Sequence, residues 1–159
     1  MHPGSRSLSR QGGFTYMMVM IALALLGMGL ARLGPMWAHD EQRERESDLL
    51  HVGRAYATAI AAYHQSSPGS IRRFPPDLQS LLLDERVPGV RRYLRRLMPD
   101  PLAPARPWGL IHAPEGGIMG VYSLDDRSPL RRVPIDLGSV TLPVADRYSE
   151  WKFVPATSK

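Results

Sequence analysis

The chain of 159 residues contains no cysteine. That removes disulfide frameworks, zinc ribbons, thiol nucleophiles and a lipid-bearing cysteine from consideration. The signatures of catalysis are missing too: there is no HExxH, no GxSxG, no P-loop and no Rossmann fingerprint. The histidines, at positions 2, 39, 51, 64 and 112, include no i,i+4 pair that would grip a metal from one helix face. His51 and His64 read as solvated or partly packed helix residues. No enzymatic activity and no cofactor is expected. Acid is absent from the N-terminus as far as Asp40.

What is present is a composition of 43% hydrophobic and 22% charged residues, which excludes wholesale disorder. The apolar residues are unevenly spread. Residues 14–31 read FTYMMVMIALALLGMGLA and carry no group charged at neutral pH. As a helix this run is about 27 Å long at 1.5 Å per residue, close to the roughly 30 Å hydrocarbon core of a bilayer. Extension through Leu33 and Met36, with Arg32 snorkelling, completes a span over 14–36. Arg6 and Arg10 stand before it, and His39, Asp40, Glu41 and Glu44 stand behind it. The positive-inside rule therefore places the N-terminus in the cytoplasm and the remainder outside. A conventional cleaved signal fits poorly, because its apolar core is shorter and Met36 is bulky where a small residue precedes the cut. A plain uncleaved anchor stays open on these features alone.

Gly12-Gly13-Phe14-Thr15 lies at the junction between the basic leader and the apolar run. This resembles the motif of type IV pilins and pseudopilins, in which the leader ends in Gly and the cut exposes Phe. Gly34-Pro35 falls where that family often carries a helix-bending proline, and a kink is expected there. The resemblance implies cleavage and N-methylation at Gly13 and Phe14 by a prepilin peptidase. It also implies an α+β, pilin-like fold: a long N-terminal helix, membrane-spanning in its first half, packed on a small antiparallel β-sheet with short helices. The organisation is then leader 1–13, transmembrane helix 14–36 and periplasmic domain 37–159, held single-pass in a bacterial inner membrane. The implied function is that of a structural subunit of a type II secretion or related envelope machine. Its partners would be other pseudopilins, inner-membrane components of the machine, the peptidase and membrane lipid. One departure is Met18, where the family normally has a Glu that pairs with a neighbour's free amine. That points to a minor or specialised subunit.

Beyond the proline, residues 40–64 read as one amphipathic helix. Leu49, Val52, Tyr56, Ile60 and Tyr63 recur at spacings of three and four, and alanines favour helix between them. Gln65 to Gly69 ends it. Phe74-Pro75-Pro76-Asp77-Leu78-Gln79-Ser80-Leu81 predicts a short helix with Asp77 in its first turn, and resembles a segment that follows the long helix in major pseudopilins. A second short helix is expected from Pro88-Gly89 to Leu97. Its apolar side is Val90, Tyr93, Leu94 and Leu97, and Arg91, Arg92, Arg95 and Arg96 form its polar side. Strands are expected over 108–113, 117–124 and 150–154, with Pro114 to Gly117 as a hairpin. Residues 126–149, broken by Pro129, Pro134, Gly138 and Pro143, predict an irregular excursion.

The four arginines are a candidate interaction surface. With a net charge of +5, they suit solvent, an acidic protein neighbour, or nucleic acid and lipid headgroups. The alternative function is thus a membrane-anchored binding module that captures DNA or another acidic ligand. Nucleic acid is disfavoured as a partner, since Tyr93 is the lone aromatic on that segment and base stacking lacks a platform. Asp125 and Asp126 lie near where major pseudopilins bind calcium. They are weak candidates, because two adjacent acids before Arg127 fall short of the six to eight oxygens calcium takes.

Overall fold

A computed structural model describes residues 12–31, 34–69, 71–86 and 89–156. The chain is α+β and divides into two compact units, residues 1–41 and 42–159. Helix α1 spans Gly12–Ala31 and α2 spans Gly34–Gln65. The expected proline kink falls beside residues 32 and 33, which lie outside the described residues, as do residues 1–11 of the expected leader 1–13. Pro35 is the second described residue of α2.

In the unit 42–159, α2 presents the face that its periodicity predicts. Leu49, Tyr56 and Ile60 are fully buried, and Val52 and Tyr63 nearly so. Helix α2 ends where expected. Ser66 returns its backbone N–H and its hydroxyl to the Ala62 carbonyl, at 3.0 and 2.7 Å, and Gly69 turns the chain at φ +82°. The segment after it is tighter than a helix. Asp77 Oδ1 accepts from Ser80 N–H and Ser80 Oγ, both at 2.8 Å, and holds a single 3₁₀ turn over Gln79–Leu81 that buries Leu81.

The main sheet has three antiparallel strands, β1 Gly109–His112, β2 Ile118–Tyr122 and β5 Lys152–Phe153, in the order β1-β2-β5. Leu110 pairs with Val121, Val121 with Phe153, and the β1–β2 ladder is irregular between Ile111 and His112. The hairpin turns through Gly116 and Gly117 at φ +92° and +83°. At Gly117 a side chain is excluded twice, since a Cβ would also lie 2.8 Å from Phe74. Ile118, Val121, Trp151 and Phe153 complete one apolar core with α2 and Leu81.

Two expectations are corrected. Residues 89–97 are not a helix. Tyr93 and Leu94 both give their N–H groups to the Leu81 carbonyl, and Arg91 O accepts from Asp84 N–H, so the donors that would build a helix are spent on the 3₁₀ turn and the Asp84 loop. The excursion 126–149 is less irregular than its prolines suggest. It contains a hairpin of β3 Ile135–Asp136 and β4 Thr141–Leu142, turned at Gly138 with φ +79°, which buries Ile135, Val140 and Leu142.

Candidate functional site

The junction Gly13-Phe14 lies in the first turn of α1. Phe14 is 76% exposed and Met18 64%, and the large apolar side chains of residues 14–28 are exposed on every face of the helix. Among the described residues, no helix is long and apolar enough to cross a membrane. Gly34 and Pro35 are the first described residues of α2.

Arg91, Arg92, Arg95 and Arg96 are all exposed, as are Val90 and, in part, Leu97. Without a helix they do not form one polar face opposite an apolar one. They flank Tyr93 and Leu94 in sequence on an irregular, bent segment whose backbone is pinned to Leu81.

Asp125 and Asp126 face arginines and a serine. Burial tends to raise the Asp125 carboxyl, but hydrogen bonds from Arg127, the shortest at 2.6 Å, outweigh it and leave the carboxyl below its usual range. Asp126 accepts from Ser149 Oγ at 2.9 Å and sits 3.9 Å from Arg147. No group of three or more potential metal ligands occurs among the described residues.

Buried polar clusters escaped the sequence reading, those of Glu46 and Asp84 among them. Glu46, on α2, is 2% exposed. It accepts from Tyr148 Oη and Leu130 N–H, both at 2.7 Å, with Arg131 at 3.4 Å. Gln42 Nε2 adds bonds to Tyr148 Oη and Ser128 O, each 3.2 Å. Burial pushes the Tyr148 hydroxyl up to about 12, so it stays protonated as the donor to Glu46. The signal for Glu46 was available: it lies three residues before Leu49, on the buried stripe itself. Asp84, 1% exposed, accepts from Arg86 Nε and Nη2 at 2.8 Å and from Tyr93 Oη at 2.9 Å. Arg86 also caps α2 through the Tyr63 carbonyl at 3.0 Å and stacks 3.5 Å over the Tyr63 ring. No periodic pattern marks a loop acid like Asp84. Both clusters fasten loops to α2.

No family model, curated protein or solved structure matches the chain.

Proposed function

We propose that the chain is a pseudopilin-like structural subunit of a type II secretion or related envelope machine, made as a precursor and cut by a prepilin peptidase between Gly13 and Phe14. One observation carries this reading: a helix apolar on all sides, with Phe14 to Met28 exposed, begins at the Gly13-Phe14 junction. Such a helix is stable only within an apolar surround, either a protein core or a bilayer. Basic residues ahead of it and acids behind it orient it with the N-terminus in the cytoplasm. The α2 face packed on a three-stranded antiparallel sheet is compatible with a pilin-like domain on the outer side of the inner membrane. Its partners are then other pseudopilins, inner-membrane components of the machine and lipid, and the chain itself performs no chemistry.

The test is intact-mass analysis of protein extracted from membranes of a host with an active prepilin peptidase. The expected species lacks residues 1–13 and carries one methyl group on Phe14. Gly13→Leu should leave the precursor uncut. Recovery of full-length native chain as the sole stable form would sink the reading.

A further inference from the structure

Ion pairs engage Arg86, Arg127, Arg131, Arg132 and Arg147. Arg54, Arg91, Arg92, Arg95 and Arg96 are different: exposed, and without an acid partner among the described residues. Arg54 lines one open groove, and the other four lie next in sequence to two of its lining residues, Tyr93 and Leu94. Its α2 wall includes His51, Arg54, Thr58 and Ala62, at helical spacings that make one stripe about 16 Å long. Its other wall is Tyr93 and Leu94, with two arginines on either side of the pair in sequence.

That second wall is rigid. The N–H groups of Tyr93 and Leu94 bond Leu81 O at 2.9 and 3.0 Å, the Tyr93 hydroxyl is held by Asp84, and Leu94 is 9% exposed. Arg91, Arg92, Arg95 and Arg96, all exposed, are thus carried on a fixed backbone next to a groove lined mostly by small and apolar side chains. A shallow, open trough of this length suits a macromolecular segment better than a small molecule, which needs enclosure. Small side chains along α2 permit the 8–10 Å approach of a second helix axis. The uncompensated positive charge selects carboxylates on that helix and repels basic ones. Nucleic acid fits less well: the Tyr93 hydroxyl is tied to Asp84 and its ring packs edge-on against Tyr63, so it offers no free face for a base.

We propose that this groove receives an acidic amphipathic helix of a partner protein, with the helix's carboxylates facing Arg54, Arg91, Arg92, Arg95 and Arg96. The inference concerns residues 42–159 alone and stands whether or not Gly13-Phe14 is cut.

The probe is a fluorescent Ala/Glu peptide helix, alanines along one stripe and glutamates flanking it, titrated against the full chain in neutral detergent micelles. The expected result is saturable binding that weakens about tenfold or more in the Arg91→Glu/Arg92→Glu/Arg95→Glu/Arg96→Glu variant. Thr58→Trp, which fills the exposed groove, should weaken it as much, while Arg132→Glu, in the 126–149 loop, should not. A peptide with a central proline should fail to bind. Circular dichroism keeps loss of binding distinct from loss of fold, and every substituted side chain is exposed. Equal binding of the proline peptide, or of Thr58→Trp, would overturn the proposal in favour of charge attraction alone. A duplex DNA that outcompetes the peptide, and is lost in the same two variants, would make the patch a nucleic-acid site instead.

Discussion

At the scale of single residues, the domain depends on carboxylates taken out of water, Glu46 and Asp84 among them. Glu46 holds Leu130 N–H and Tyr148 Oη, which are distant in sequence. Glu46→Ala would strand both donors, and a buried donor left unpaired costs about 1–3 kcal/mol. Arg131, half exposed, adds little to that. Glu46→Gln keeps an acceptor oxygen and should cost clearly less. Urea denaturation of the two variants checks the order, and equal midpoints for Ala and Gln would mean the acceptor is unimportant. Asp84 gives a pH dependence. Hydrogen bonds from the Arg86 side chain are the main cause of its low titration, burial opposes them, and Arg86 N–H and Tyr93 add to the lowering. A carboxyl depressed in the folded state contributes stability that is present above its ordinary value of 3.8 and lost as pH falls below it. The native chain should therefore exceed Asp84→Asn in stability at neutral pH, and the gap should close as pH drops below 3.8. A gap independent of pH would show that packing, not charge, is what Asp84 supplies.

The element that organises the domain is α2, and it packs tightly on β5. At Gly53, a Cβ would lie 2.4 Å from the Phe153 ring, and Phe153 is fully buried with nowhere to retreat. Alanine in a helix is ordinarily favoured over glycine by about 1 kcal/mol. Overpacking a closed core costs about 1–3 kcal/mol. Gly53→Ala should thus lower the urea midpoint despite the better helix former, and a raised midpoint would show that the α2–β5 contact yields easily. The segment 89–97 shows the opposite balance. Its pattern of Val90, Tyr93, Leu94 and Leu97 has helical spacing, yet only Leu94 is well buried while Val90 is 76% exposed. Backbone bonds to Leu81 and Asp84 outweigh a helix that would bury one apolar residue of substance.

For the molecule as a whole, the proposed role turns on α1. Once cut, Phe14 would carry a positive amine, and placing that charge unpaired in an apolar assembly costs several kcal/mol. A glutamate at position 18 of a neighbour would offset it, but Met18 has no charge to give. The chain can still receive such a contact from a glutamate-bearing subunit, which fits a place at a filament's end. Expressed with a secretion machine stripped of its other pseudopilins, it should form no long filaments by electron microscopy, and Met18→Glu should restore them. Long filaments of the native chain alone would refute this.

Periodicity and turn chemistry by themselves determined the buried stripe of α2, its end at Gln65, strands β1, β2 and β5, and the Gly116-Gly117 hairpin. Each is set by neighbours within a few residues, where side-chain spacing and permitted φ leave little choice. The α+β class followed from those elements. Tertiary structure alone decided that Asp84 is buried, that 89–97 is an irregular segment, and that a hairpin closes inside 126–149. It also brought Glu46 to Leu130, 84 residues away. The physical reason is one and the same: a backbone or carboxylate hydrogen bond has its full worth only where water is excluded, and which distant segment excludes it is a property of the packed chain.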